Sequence, residues 1–176
     1  MTTPNLMMDK LQEYLQEITG EMFLGPLRLR PNVYKVDLPP RATPDYDPSL
    51  PSLPDTDIPP STADTTLSDE RDERWPFIII VYSASEDNEE GYRTATIDFT
   101  FGCEGRGADG YMDVLHLMEH VRASFLRETW NGWSFRLTRP LSMGFYEEQA
   151  DPYWMGYMST TWEVPGFEME VWKDGY

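Results

Sequence analysis

The sequence predicts an α+β fold: a mainly antiparallel sheet with two helices packed on it, and a long acidic, proline-rich excursion set into the chain. Three observations carry this. Phe77-Ile78-Ile79-Ile80-Val81-Tyr82 is an unbroken apolar run, as expected of a strand covered on both faces and set at the centre of the sheet. The segment Tyr92 to Phe101 alternates, with Ala95, Ile97, Phe99 and Phe101 on one face and Thr94, Thr96, Asp98 and Thr100 on the other. Two further stretches repeat their apolar residues at helical spacing.

The first helix opens at Thr3-Pro4, where a proline costs no hydrogen bond. Met7, Met8, Leu11, Tyr14, Leu15 and Ile18 fall on one side and Lys10, Glu13 and Glu17 on the other, so the apolar side is expected to dock on the sheet. Gly20 stops the helix. After a short irregular passage, Val33-Tyr34-Lys35-Val36-Asp37-Leu38 is expected as a strand.

From Asp37 to Arg74 the composition shifts. Eight of the fifteen prolines lie between Pro39 and Pro60, and the segment holds ten acids against three arginines. So few groups worth burying do not repay the entropy of ordering, which makes a mobile excursion over residues 39–74 the default expectation. The alternative is an arm that docks Leu50, Leu53, Ile58 and Leu67 along a partner's groove.

The two strands that follow are joined by Glu86-Asp87-Asn88-Glu89-Glu90-Gly91, too polar to bury and ending in the residue most tolerant of positive φ, so they form an antiparallel hairpin. The glycine cluster Gly102 to Gly110 lacks both the Gly-Lys-Ser/Thr ending of a phosphate-binding loop and the dinucleotide spacing, and is expected as a strand-to-helix connection with Asp109 as helix cap. Tyr111, Val114, Leu115, Met118, Val121, Phe125 and Leu126 then make the apolar stripe of the second helix. Gly132 to Arg139 alternates as a further strand, with Trp133, Phe135 and Leu137 inward. Tyr153 to Val164 is a long strand with large apolar groups on both faces: Trp154, Met158, Trp162 and Val164 on one, Tyr153, Met155 and Tyr157 on the other. One face fills the core. The other is covered either by the helices or by a neighbouring subunit, and the subunit is preferred because Tyr, Trp and Met are enriched at interfaces. Pro165-Gly166 turns the chain, and Phe167 to Trp172 is expected as a short edge strand that brings Trp172 to the same interface.

Composition narrows the function classes. With 31 acidic and 14 basic residues, a formal charge of -17, the chain is expected not to bind a nucleic-acid backbone directly. No apolar stretch approaches the roughly 20 residues that span a bilayer, and the N-terminus lacks a signal peptide's pattern, so a soluble protein not exported by that route is expected. The lone Cys103 suits a reducing compartment and a packing role. His116-Leu117-Met118-Glu119-His120 matches the H-x-x-E-H pattern of the inverted zinc peptidases. Both histidines, however, point away from the apolar stripe, and no third histidine exists to complete a site. No catalytic, cofactor or metal residues are assigned, and the chain is expected not to be an enzyme.

Phe77 to Tyr82, the helix entry Gly110-Tyr111-Met112-Asp113-Val114-Leu115-His116-Leu117-Met118-Glu119 and the strand Pro152-Tyr153-Trp154-Met155-Gly156-Tyr157 follow one another in an order that resembles the tail terminator, or tail completion, proteins of long-tailed bacteriophages. The resemblance covers mainly Trp75 to Pro165; the excursion departs from that family's compact pattern. It implies a structural subunit of the virion, made in the host cytoplasm, which assembles as a homohexameric ring on the tail-tube protein. The ring stops tube growth, presents a docking face to the head connector protein and lets DNA pass through its lumen unbound. A second class stays open, an acidic DNA mimic that occupies the nucleic-acid site of a host enzyme, although much of the acid lies in the excursion and not along an ordered helical face.

Limited proteolysis of the folded chain is expected to cut first between Pro39 and Leu67. Cutting first in the hairpin around Asn88 would contradict this assignment.

Overall fold

A computed structural model describes residues 2–40, 72–87, 91–129 and 131–165. Seven elements follow in order: α1 (Pro4–Ile18), β1 (Asn32–Lys35), β2 (Phe77–Asp87), β3 (Tyr92–Glu104), α2 (Gly107–Arg127), β4 (Arg136–Phe145) and β5 (Tyr153–Pro165). The strands form one five-stranded sheet in the order β1-β2-β3-β5-β4. The β1–β2 pair is parallel and the rest antiparallel, so the sheet is mixed and mainly antiparallel, consistent with the α+β class. Both helices pack on the same face, α1 over β1 and β2 and α2 over β3 and β5.

α1 begins as its sequence dictates: the Thr3 hydroxyl accepts the Leu6 N–H at 3.2 Å, and Met7, Met8, Leu11 and Leu15 are buried. The strand expected over residues 33–38 is shorter. It ends at Lys35 because Val36 takes a φ of 72°, outside the extended range of a ladder residue. The excursion leaves there. Arg74 Nη1 donates to the Pro39 carbonyl at 2.9 Å, and Arg74 Nε and Nη2 grip both oxygens of the buried Asp72 carboxylate at 2.7 and 2.6 Å. The chain on either side of residues 41–71 is thereby tied together. Those residues, Leu50, Leu53, Ile58 and Leu67 among them, lie outside the described ones, as does the stretch containing Trp172.

The middle of the sheet is β3, not β2, which lies between β1 and β3. The hairpin joining β2 and β3 is antiparallel, with Gly91 at a φ of 83°. The β2 strand runs past its apolar run through Ser83 to Asp87, because pairing with β3 supplies backbone partners that side-chain polarity does not reveal. In β3 the alternation holds: Ala95, Ile97, Phe99, Phe101 and Cys103 face the helices and are fully buried. Burial, with Asp113 nearby, pushes the Cys103 thiol well above its ordinary range.

The α2 helix starts two residues before Asp109. Arg106 occupies the N-cap position without a capping side chain, and the exposed Gly107 N–H donates to Asp151 Oδ1 at 2.8 Å. A carboxylate more than forty residues away does the work expected of Asp109. Buried on this helix are Val114, Leu117, Met118, Val121 and Phe125, whereas Tyr111 is exposed and Leu115 and Leu126 are half-buried. The burial arc is therefore rotated toward Leu117. The helix has a second neighbour besides the sheet: on the Leu117 side, His120 Nε2–H donates to the Ile18 carbonyl at 2.7 Å, at the end of α1.

The last two strands complete the core. The β4 strand begins at Arg136, later than the alternation implied, and extends to Phe145 across an irregularity between Thr138 and Ser142 that accommodates Pro140 on this edge strand. Phe135 and Leu137 are buried and Trp133 is half-buried against the core. Trp162 of β5 packs its ring on Phe125 at 5.5 Å and Phe135 at 5.6 Å. Its indole N–H donates to the Thr160 hydroxyl at 2.7 Å, and that hydroxyl in turn donates to the Ile97 carbonyl at 2.8 Å. The core thus takes a tryptophan without leaving its N–H unpaired.

Leu117→Ala is expected to lower the unfolding free energy by about 2–5 kcal/mol. His116→Ala, at an exposed position, should stay within about 0.5 kcal/mol of wild type. Equal losses in urea titrations of the two variants would refute the rotated burial arc.

Candidate functional site

The pleat that sends one set of side chains to the helices sends the other set to a face on which, among the described residues, no helix packs. Along β5 the alternation is strict: Met158, Thr160, Trp162 and Val164 are buried, while Tyr153 and Tyr157 are 38% and 39% exposed and Met155 is half-buried. Tyr153, Met155 and Tyr157 are therefore brought onto the open face, as the sequence predicts. Trp172 lies outside the described residues.

Residues that sequence reasoning passed over complete the patch. The Trp75 ring stands 4.6 Å from Phe77 and 5.0 Å from Tyr153, so it roofs the one and flanks the other. Phe77 and Ile79 are buried, although both sit outside the helix-facing core. Gly102 permits this close stack: a Cβ there would lie 2.4 Å from the Phe77 ring and 2.7 Å from the Trp75 ring. At the other end the Tyr157 ring lies over Gly144 and 5.4 Å from Tyr146, whose hydroxyl shares a hydrogen bond of 3.2 Å with that of Thr100. Tyr146 directly follows the end of β4 and Trp75 stands one proline before the apolar run of β2, which was the available signal. Nothing local said which face they would join.

On the edge away from β3, the backbone beneath the patch is held by one side chain. Beyond Phe145, β4 no longer pairs with β5, and the Gln149 amide takes over: its Oε1 accepts the Met155 N–H and its Nε2 donates to the Met155 carbonyl, both at 2.8 Å. An amide acting as donor and acceptor together imitates one ladder residue and keeps this end of β5 ordered. Carboxylates surround the patch. Glu104 is the register partner of Tyr153, Asp98 accepts from the Ser83 hydroxyl on the same face, and Glu147 and Glu148 follow Tyr146 exposed.

The histidine pair is divided between two environments. His116 is exposed and His120 is half-buried and bonded to α1, a departure from the solvated position expected for both. Both border a cleft of about 620 Å³ between the end of α1 and α2, with Glu17, Glu21 and Asp113. Among the described residues no three His, Cys, Asp or Glu side chains are grouped so as to hold a metal ion. No helix among them is long and apolar enough to cross a membrane.

No protein-family model matches this sequence and no curated protein matches it. The functional reading therefore stands on the geometry of the open face.

Gly102→Ala should force Trp75 and Phe77 apart and cost about 1–3 kcal/mol. Intrinsic tryptophan fluorescence should shift with it, as the indole leaves its stack. An unchanged spectrum and stability would show that the roof over Phe77 yields freely.

Proposed function

We propose that this chain is a structural subunit that caps the tail tube of a long-tailed bacteriophage as a ring, ends tube growth and offers the surface that joins tail to head. The observation that carries the proposal is the open face, where exposed Tyr153 and Tyr157 flank half-buried Met155 between Trp75 and Tyr146, opposite a face closed by two helices. Large aromatic groups held in register on a rigid sheet are anchors for a protein partner, because they bury much surface and lose few rotamers on binding. The order of elements, with a helix before the first strand and another between the hairpin and the last two strands, also supports the resemblance drawn from the sequence.

In this reading the partners are further copies of the chain in a homohexamer, the tail-tube protein and the head connector protein, at the head-proximal end of the tail in the virion. The acidic balance has a use in such a ring. A channel lined by subunits of charge -17 repels duplex DNA and gives it no adhesive contact during passage.

The test is a tail preparation lacking this protein, complemented with wild type or with Tyr157→Asp. The aspartate would bury an unpaired charge in the contact, so it should abolish assembly while the circular dichroism of the free subunit stays that of wild type. Tails of regulated length that join heads without the protein would overturn the proposal. Tight binding to a host nucleic-acid enzyme would put the DNA-mimic reading in its place.

A further inference from the structure

At the end of the sheet where β3 begins and β5 finishes, far from Tyr153, lies an apolar cleft of about 210 Å³. It is lined by Tyr92, Trp133, Phe135 and Pro165, with the charged side chains of Arg136 and Glu163 beside them. The Trp133 and Phe135 rings stack at 5.0 Å, and Trp133 stands 6.0 Å from the buried Trp162, so the cleft opens directly onto the edge of the core. Its polar groups are already engaged. Arg136 Nε donates to Glu163 Oε2 at 2.8 Å, with Nη2 2.7 Å from the same oxygen, and the hydroxyl of Ser134, a further lining residue, shares a hydrogen bond of 2.5 Å with that of Thr2. What the cleft offers is ring surface.

Small-molecule clefts measure roughly 300–1,000 Å³, so a smaller, apolar one suits a single large side chain better than a free ligand. The chain itself brings such a group to the spot. Pro165 lines the cleft, pairs in register with Tyr92 and ends β5. The residues that follow it lie outside the described ones, and their sequence, Gly166-Phe167-Glu168-Met169-Glu170-Val171, alternates apolar and acidic, the period of a strand with one face against protein. Phe167 comes two residues after Pro165, within about 7 Å at the roughly 3.3–3.6 Å per residue of an extended chain. Gly166 between them tolerates the turn that reversal onto the cleft requires. A side chain on so short a tether has an effective concentration on the order of millimolar, which sets it ahead of one arriving on another molecule. Charge agrees as well, since the Arg136 guanidinium carries donors beyond those that Glu163 engages, and Glu168 is the next residue after Phe167.

We infer that Phe167 of the same chain seats in the cleft of Tyr92, Trp133, Phe135 and Pro165, as a latch that closes this end of the core. Apolar surface here is then taken up within the subunit, which leaves the Tyr153 and Tyr157 end of the open face to partners. The contact is made inside one chain, so it holds or fails independently of the ring reading above.

Disulfide trapping tests it, because the one native thiol, Cys103, is buried and silent. Glu168→Cys is combined in the full chain either with Ser134→Cys, at the cleft, or with Glu86→Cys, which pairs with Thr94 on the opposite side of β3 at the same end of the sheet. Both partner positions are exposed, and each double variant is oxidised at high dilution with oxidised glutathione. The Ser134→Cys pair should close an intrachain disulfide at least about tenfold faster than the Glu86→Cys pair, the advantage expected of one well-seated aromatic side chain. Adding Phe167→Ala should remove that advantage. Equal rates, faster closure onto position 86, no disulfide in either pair, or a preference that survives Phe167→Ala would each overturn the inference. Disulfide-linked dimers in place of the intrachain product would overturn it too, by giving the cleft to a second copy.

Discussion

Everything in this structure depends on the register of β3. Its thirteen residues are hydrogen-bonded to β5 along one edge and, over most of their length, to β2 along the other. Side chains alternate with a period of two, so a slip of one residue would bring Thr94, Thr96, Asp98 and Thr100 under the helices and put Ala95, Ile97, Phe99 and Phe101 into water. Losing the three large side chains, Ile97, Phe99 and Phe101, at about 1.5–3 kcal/mol each is comparable to the roughly 5–15 kcal/mol by which a whole domain is stable. The register is thus pinned by β3 itself, and through its pairings it dictates which residues of β2 and β5 meet the helices.

The same constraint creates the open face. Once Met158, Trp162 and Val164 are committed to the core, Tyr153, Met155 and Tyr157 have no choice of side. The molecule does not leave that side bare throughout. At the β2 end the Trp75 ring roofs Phe77, and Tyr34, which aligns with Ile79, has its hydroxyl pKa raised chiefly by burial. Across β3 and β5 the middle of this face is polar: Thr96, Thr161, Ser159 and its register partner Asp98. The aromatic groups are therefore concentrated at the end where β3 finishes and α2 begins, the same end at which the 25–28 turn is anchored to α2 by the Gly25 N–H on Asp113. Apolar anchors, carboxylates and basic groups are gathered there within one small region.

Charge shapes the surface more than the interior. Among the described residues most ion pairs are exposed, such as Lys10–Glu13 and Arg136–Glu163, and pairs of that kind contribute little. The exception is Asp72, whose buried carboxylate is held by two nitrogens of Arg74 where the excursion rejoins the sheet. A buried carboxylate without that fork would carry a large desolvation cost, so this pair locks the geometry at the entry to β2.

The sequence by itself determined the features with a period or a local cap: α1 from Thr3 and its heptad-like spacing, the β2–β3 hairpin, the two faces of β3 and the two faces of β5. These follow from bonds and burial that neighbouring residues settle among themselves, and Tyr153, Met155 and Tyr157 were legible for that reason. Tertiary structure alone decided which strand is central, because β1 pairs with β2 in parallel and β5 inserts between β3 and β4, choices that local pattern does not encode. It also decided the rotation of α2 toward Leu117, since a second helix beside it widens the arc that must be buried. Asp151 at the start of α2 and Asp113 at the base of the 25–28 turn act on partners far away in sequence, and Gln149 beneath Met155 and Trp75 over Phe77 act where the fold turns them back on their own strands. A donor or a bare ring face can be satisfied by any group that the fold carries to it, and only the packed chain selects which.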